Sequence, residues 1–130
     1  MDPGSLLGMI SMNTQFYRDY ILDHYKHPRH YGKLDDAVVV EGTNPSCGDE
    51  LRFYVKRTGD HLDRIQFEGR GCAISQASSS ILLEQLEGKT IADLSAWTES
   101  QVLEAFGGQI SEGRLKCALL ALRSLQQGLR

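Results

Sequence analysis

The chain has 130 residues, of which 41% are hydrophobic and 24% charged, a composition typical of one globular domain. Its formal net charge of −3 and its pI near 5.8 argue against the broad basic surface of a nucleic-acid-binding protein. No apolar stretch approaches the roughly 20 residues needed to cross a bilayer, so no membrane span is predicted.

The first thirteen residues show no helical period, and we expect them to be a flexible leader, native or left by cloning. They lack the basic start and the long apolar stretch of a signal peptide, so the cytoplasm is the expected compartment. Residues 14–130 contain no repeat and no interdomain linker, and are predicted to form a single domain.

A first helix is predicted from Asn13 or Thr14, either of which could cap it, to about His27. Its apolar face would carry three large side chains, Phe16, Tyr20 and Ile21, with Tyr17 and His24 beside them. Pro28 should end the helix, because proline disfavours helical geometry in the residue before it.

Three strands are predicted next. The β-branched segment 37–43 is strand-like, and 50–57 alternates between Leu51, Phe53 and Val55 on one face and Arg52, Tyr54 and Lys56 on the other. Residues 58–60 read as a turn, and HLDRIQFEG then supplies a third strand with Ile65 and Phe67 inward. Connections this short predict an antiparallel meander with one solvated face.

After Gly71 the period becomes helical, through AISQASSSILLEQLEG to Gly88. Thr90 is expected to cap a short helix through Leu94, and Thr98 with Gln101 forms a capping box for 99–106. Ser111 is expected to cap a last helix reaching about Gln127. The predicted fold class is therefore α+β, a three-stranded antiparallel sheet covered by helices.

The three cysteines are an odd number, which a disulfide framework would not use up. Cys47 lies in a proline- and glycine-rich turn, two residues before Asp49, where an inert buried cysteine would be unusual. Cys72 directly precedes a predicted helix, whose positive end would favour a thiolate, as would Arg70. Gly69 and Gly71 would let the backbone approach a bound group closely.

The last helix is expected to bury six residues, Leu115, Ala118, Leu119, Leu122, Leu125 and Leu129. Cys117 falls outside this stripe, in a row with Arg114 and Ala121, and so is not predicted to be a routine core residue. Any single cysteine is more often a small hydrophobe than a ligand, but three such placements together favour chemistry, although their spacing matches no zinc ribbon.

We therefore predict that Cys47, Asp49, Cys72 and Cys117 form one site for a metal, for sulfur, or for both. Three thiolates and a carboxylate suit tetrahedral Zn²⁺, and cysteine thiolates are also the usual ligands of iron–sulfur clusters. An aspartate in place of a fourth cysteine is a harder and weaker ligand, which predicts a site that can open.

Three segments together resemble the U-type iron–sulfur assembly proteins, namely IscU, SufU and the N-terminal domain of NifU. These segments are NPSCGDELRF at 44–53, GRGCAISQASSS at 69–80 and GRLKCALLAL at 113–122, and 17–32 looks like the family's opening helix. The resemblance implies a compact α+β domain of the SufE/NifU type, with the same cysteines and aspartate as ligands.

The resemblance also implies a function, namely acceptance of persulfide sulfur from a cysteine desulfurase of the SufS or IscS kind. A scaffold would assemble a transient [2Fe–2S] cluster and deliver it to apo iron–sulfur proteins. A zinc-dependent sulfurtransferase would instead keep Zn²⁺ and relay sulfur to a downstream scaffold. A structural zinc module that binds partners without chemistry is a third alternative, and weak self-association is compatible with all three.

The sequence departs from both main branches of this family. IscU has a histidine before its last cysteine and a Leu-Pro-Pro-Val-Lys segment read by a dedicated Hsp70 chaperone, whereas this chain has Lys116 and GQISEGRLK there. Lys116 and Arg114 resemble SufU, but the insertion usual in SufU between the second and third cysteines does not fit within residues 88–112. The chain is thus similar to SufU in its motifs and to IscU in its length.

Cys47 is the expected sulfur acceptor, because a turn can move where a helical cysteine cannot. Arg114 and Lys116 are hypothesised to stabilise the persulfide anion, the alternative being that they are solvated helix charges. His24, His27 and His30 recur every third residue, but Pro28 interrupts any helix between them, which argues against a second metal site.

Overall fold

The computed structural model describes residues 18–107 and 110–129, so the leader and the first helix's predicted start lie outside the described residues. Within them the chain forms a helix, three strands and then four further helices. These are α1 (18–26), β1 (Val38–Asn44), β2 (Asp49–Thr58), β3 (His61–Arg70), α2 (Ala73–Leu86), α3 (Ile91–Ala96), α4 (Glu99–Ala105) and α5 (Leu115–Gly128). A 3₁₀ turn, Glu112–Arg114, immediately precedes α5.

The three strands form one antiparallel sheet in the order β1-β2-β3, which confirms the predicted meander. Phe53 lies between Val40 on β1 and Phe67 on β3, and all three side chains are buried. Tyr54 is predicted on the opposite face from Phe53, yet its ring is buried, and its hydroxyl donates to Glu68 Oε1 at 2.7 Å. An aromatic ring on the outer face of a strand can be covered by its cross-strand neighbours.

Helices cover the inner face of the sheet, as the predicted fold class requires. Helix α5 packs against both α2 and β1, and α2 also contacts β3. Phe106, Leu83 and Leu125 are each fully buried in the resulting core. No helix among the described residues combines the length and apolarity needed to cross a bilayer.

Local signals placed most helix ends correctly. Thr90 caps α3, in a capping box with Asp93, and the predicted capping box of Thr98 with Gln101 forms. Helix α1 ends two residues before Pro28. The predicted Ser111 cap is wrong, because its side chain makes no capping hydrogen bond and the chain forms a 3₁₀ turn before α5 begins.

The prediction that Cys117 lies outside the buried face of the last helix is also wrong. Cys117 and Ala121 are both fully buried, whereas Leu115 is only half-buried. The reason is that α5 lies between α2 and β1 and is therefore covered over more than one stripe.

Candidate metal centre

Cys47 lies in the turn that connects β1 to β2. Asn44 and Asp49 form the last pair of the β1–β2 ladder, and the four residues between them close the turn. The Cys47 amide donates to the Asn44 carbonyl at 3.0 Å, and Gly48 adopts a φ of +72°, which favours glycine. The turn leaves Cys47 half-buried and close to Asp49.

Asp49 is fully buried at the start of β2. Its Oδ1 accepts from the Cys72 amide at 2.9 Å, and its Oδ2 accepts from Asn44 Nδ2 at 3.3 Å. Burial alone would raise the pKa of Asp49, but hydrogen bonds from the Cys72 amide, the Cys117 thiol and Asn44 hold that pKa below its ordinary value. Asp49 is therefore a carboxylate at neutral pH.

Cys72 is the N-cap of α2 and is half-buried. It follows Gly71, whose φ is +125° and whose position leaves no room for a Cβ beside Asp49 Oδ1. A Cβ on Gly69 would instead lie 2.6 Å from Leu51 Cδ2. Gly71 thus makes room for Asp49, and Gly69 makes room for Leu51, both of them residues of the protein itself.

Cys117 completes the cluster from the first turn of α5. One ligand atom from each of Cys47, Asp49 and Cys117 lies within 4.8 Å of the other two. The Cys72 thiol contacts Cys117 but does not belong to this group of three. Burial, then the neighbouring Asp49 and Cys72, raise the pKa of Cys117 well above that of an ordinary thiol.

The donor set of this cluster suits a thiophilic metal. Ligands about 2.3 Å from a tetrahedral ion lie about 3.8 Å apart, so atoms within 4.8 Å of one another need to move only slightly to share one. Sulfur ligands with one carboxylate favour zinc or iron over magnesium or calcium. The cluster therefore fits Zn²⁺ held by Cys47, Asp49 and Cys117, with Cys72 adjacent.

Arg114 and Arg70, two cations close to the cysteines in sequence, have different partners in the structure. Arg114 lies beside the thiols of Cys117 and Cys72, and the interaction of its guanidinium with these two groups raises the pKa of Arg114. Arg70 was predicted to favour a thiolate at Cys72, but it pairs with Glu50 at 2.6 Å on the exposed side of the sheet. The cation beside the thiols is thus Arg114.

Lys116 extends towards the Cys47 turn. Its Nζ donates to Ser46 Oγ, and its backbone carbonyl accepts from Asn44 Nδ2 at 3.0 Å. Sequence reasoning had not singled out Asn44 or Ser46, although both belong to the NPSCGDE motif and short polar side chains at a turn often bond to nearby groups.

The histidines of the first helix and the following loop take separate structural roles. His24 Nδ1 lies 2.7 Å from Ser80 Oγ, and His30 Nδ1 lies 3.4 Å from Glu87 Oε2. Among the described residues, the one group of three or more potential ligands close enough to share a metal contains no histidine.

Comparisons with known proteins find relatives that match nearly the whole chain. The profile of the NifU-like N terminal domain matches residues 16–130. The zinc-dependent sulfurtransferase SufU of Bacillus subtilis is 37% identical, with 87% of this chain and 88% of the relative covered. The iron–sulfur cluster assembly scaffold protein IscU of Thermotoga maritima is 35% identical, with coverages of 88% and 92%.

Solved structures are similar over the same extent. A Fervidobacterium islandicum protein, described as an iron–sulfur cluster assembly scaffold for the SUF system, superimposes with a TM-score of 0.77 at 32% identity. That match covers 86% of this chain and 95% of the other. The N-terminal part of a NifU-like protein from Brucella abortus has a TM-score of 0.74 at 21% identity, with coverages of 88% and 92%, and supports the fold alone.

Proposed function

The chain belongs to the family of NifU-like N-terminal domains, and we propose on that basis that it is an iron–sulfur cluster assembly factor. It accepts persulfide sulfur from a cysteine desulfurase and, with iron and with an external electron donor that reduces this sulfur to sulfide, assembles a transient [2Fe–2S] cluster for apo iron–sulfur proteins. The observation that carries this proposal is the convergence of Cys47, Asp49 and Cys117 within 4.8 Å, with Cys72 beside Cys117.

Cys47, Asp49, Cys72 and Cys117 are the proposed ligands. A bound Zn²⁺ would supply the positive charge that keeps buried thiols ionised and protected from oxidation. Asp49 contributes a carboxylate that is already ionised and already oriented by the Cys72 amide. As the one oxygen ligand it is the weakest partner for zinc or iron, and it makes the site able to open.

Cys47 is the proposed sulfur acceptor, because it lies within a four-residue turn, whereas Cys72 is the N-cap of α2 and Cys117 lies inside α5. Its thiolate attacks the outer sulfur of the desulfurase persulfide, forming a new S–S bond. The donor's own S–S bond breaks, and the desulfurase cysteine leaves as a thiolate. Arg114 lies beside the Cys72 and Cys117 thiols, where its guanidinium stabilises the negative charge of sulfur arriving at the cluster.

A zinc-dependent sulfurtransferase that relays sulfur to another scaffold is the second candidate. The position before the last cysteine favours it, since Lys116 stands there and bonds to Ser46 in the turn that carries Cys47. In this version the cation helps to retain a persulfide at Cys47 and zinc stays bound throughout. The chain is 37% identical to the Bacillus sulfurtransferase and 35% identical to the Thermotoga scaffold, and these two identities are too similar to distinguish the candidate functions.

Labelled sulfur separates the candidates. The full chain is purified without oxygen, its zinc and iron are measured, and a desulfurase with ³⁵S-cysteine is added, with Cys47→Ser and Cys72→Ser as matched variants. The scaffold is supported if label is lost only in Cys47→Ser and if the wild-type chain, given ferrous iron and a thiol reductant, forms a visible cluster that it transfers to an apo-ferredoxin.

Label on Cys47 with zinc retained and no cluster formed supports the sulfurtransferase. A chain that takes no label and holds zinc that cannot be exchanged is a structural zinc module, and that result would contradict both candidates.

A further inference from the structure

The turn that carries Cys47 is attached to the beginning of α5 by two side-chain contacts. Asn44 Nδ2 donates to the Lys116 carbonyl at 3.0 Å, and Lys116 Nζ donates to Ser46 Oγ. In each contact the two partners are at least 70 positions apart in sequence. We call the contact between the Lys116 ammonium and the Ser46 hydroxyl the turn latch.

The turn itself has few other restraints among the described residues. Its backbone contributes two bonds of its own, from the Cys47 amide to Asn44 at 3.0 Å and from the Gly48 amide to Pro45 at 3.4 Å. Pro45, Ser46 and Gly48 are all exposed. A tip with so few packed atoms moves readily, so one further bond at Ser46 has a large share in its position.

The latch acts next to the reactive atom. Ser46 Oγ lies 4.0 Å from Cys47 Sγ, so the residue that Lys116 holds directly precedes the proposed sulfur acceptor. Lys116 also directly precedes Cys117, whose own side chain is fully buried. The latch therefore connects the turn that carries Cys47 to the part of α5 that holds the buried Cys117.

We propose that Lys116 and Ser46 are positioning residues, which hold the Cys47 turn against α5 and set how often Cys47 leaves the cluster. This inference rests on the proposed function, because Cys47 has to leave the cluster in order to reach a sulfur donor. With the latch closed, Cys47 stays near Asp49 and Cys117. With it open, the turn swings outward while Cys72 stays at the N-cap of α2 and Cys117 stays within α5.

Hydrogen exchange of the full chain tests the latch without sulfur or cluster. The exchange rates of the Cys47 and Gly48 amides are followed by NMR in wild type, Ser46→Ala and Lys116→Met, and in the double variant. One hydrogen bond shifts an opening equilibrium about two- to tenfold, so each single variant should speed these amides by that factor. The double variant should be no faster than either single one, because both remove the same contact.

Two further variants are matched controls. Lys116→Arg keeps a cationic donor and should exchange nearly as slowly as wild type, whereas Lys33→Met removes another exposed lysine and should change nothing. The amides of Phe53 and Val55, in the buried middle of β2, report whether the whole domain has loosened.

Wild-type rates in Lys116→Met would overturn the proposal. So would multiplicative effects in the double variant, an arginine variant as fast as the methionine one, or an acceleration that extends equally to Phe53 and Val55. None of these outcomes depends on sulfur transfer, so failure of the latch and failure of the proposed function are distinguishable.

Discussion

At the scale of single residues, the candidate metal centre depends on how closely Gly71 approaches Asp49. The Cys72 amide reaches Asp49 Oδ1 at 2.9 Å because the preceding residue has no side chain and adopts a φ of +125°. That contact both satisfies a buried carboxylate and places Cys72 beside Cys117. A buried acceptor that lost such a donor would cost about 1–3 kcal/mol.

Gly71→Ala should destabilise the protein and weaken metal binding. The alanine Cβ would collide with Asp49, and a positive φ alone costs an L-residue about 1–3 kcal/mol. Urea unfolding measures the free energy of unfolding, and competition with a chromophoric chelator measures zinc affinity. Gly113→Ala is the matched control, because a Cβ there meets no atom within 4 Å. Equal effects of the two substitutions would contradict this role of Gly71.

At the scale of elements, the distance between β1 and α5 decides whether the cysteines meet. β1 leads into the Cys47 turn, and α5 carries Cys117. Two glycines bring the elements together: a Cβ on Gly42 would lie 2.9 Å from Ser124 Cβ, and one on Gly128 would lie 2.6 Å from Val40 Cγ1. Any larger residue at these points would move the helix away from the strand.

Gly42→Ala should therefore lower the free energy of unfolding by about 1–3 kcal/mol, as expected for overpacking of a close contact. Ser124→Gly removes the obstructing side chain and by itself should cost less than about 1 kcal/mol, because that helix penalty of glycine is relative to alanine and serine is already less favourable than alanine. The double variant should be clearly more stable than the sum of the two costs predicts, as measured by urea denaturation. If the two changes in unfolding free energy simply add, the contact between Gly42 and Ser124 does not limit how closely β1 approaches α5.

Helix α1 is attached to α2 through a buried histidine. His24 is 1% exposed, its Nδ1 lies 2.7 Å from Ser80 Oγ, and the same hydroxyl accepts from the Arg29 amide at 2.8 Å. Burial, and then the Arg29 cation, lower the pKa of His24 below its ordinary value, against the opposite effects of Glu84 and Asp23. The folded chain therefore binds a proton at His24 less readily than the unfolded chain does.

This difference predicts a pH dependence of stability. Because the folded-state pKa of His24 is lowered, its contribution is complete above the unfolded value of about 6.5 and is lost as the pH falls below it. His24→Asn, which keeps a polar atom near Ser80, should remove part of the stability loss between pH 7 and pH 5.5 in thermal unfolding. His61→Asn, at an exposed histidine, is the comparison, and it should change the slope less than His24→Asn does. An unchanged slope in His24→Asn would contradict the assignment.

At the scale of the whole molecule, the cluster draws its residues from separate parts of the chain. Cys47 lies in the turn between β1 and β2, Asp49 begins β2, Cys72 lies at the junction of β3 and α2, and Cys117 lies in α5. A metal at this point would therefore join the sheet to both of the longest described helices. Such a site does not exist in an unfolded chain, so metal binding and folding are coupled.

Zinc should consequently raise the thermal stability of the protein. At a free zinc concentration a hundredfold above Kd the gain is about 2.7 kcal/mol, or roughly 10 °C in Tm for a domain of this size. Calorimetry with and without zinc measures it, and Mg²⁺, which prefers oxygen ligands, should give no comparable increase. Cys117→Ser should lose most of the zinc-dependent gain relative to its own metal-free form. An equal gain in that variant would contradict ligation by Cys117.

Much of the architecture could be predicted from the sequence because its signals are local. The alternation in β2, the capping boxes at Thr90 and Thr98, and the stop at Pro28 each depend on residues a few positions apart. The motifs around Cys47, Cys72 and Cys117 likewise predicted the family, which the comparisons confirm. The same contexts singled out the set of candidate ligands, although that assignment stays a prediction.

Only the tertiary structure decided which side chains meet across long stretches of sequence. Three cations are close to cysteines in sequence, but they contact different groups. Arg114 lies beside the thiols, Lys116 donates to Ser46, and Arg70 pairs with Glu50. The burial of Cys117 could not be predicted either, because it results from packing between α2 and β1. Periodicity and capping depend on neighbours along the chain, whereas ion pairs and burial depend on how separate elements pack, and packing brought the cysteines into one cluster.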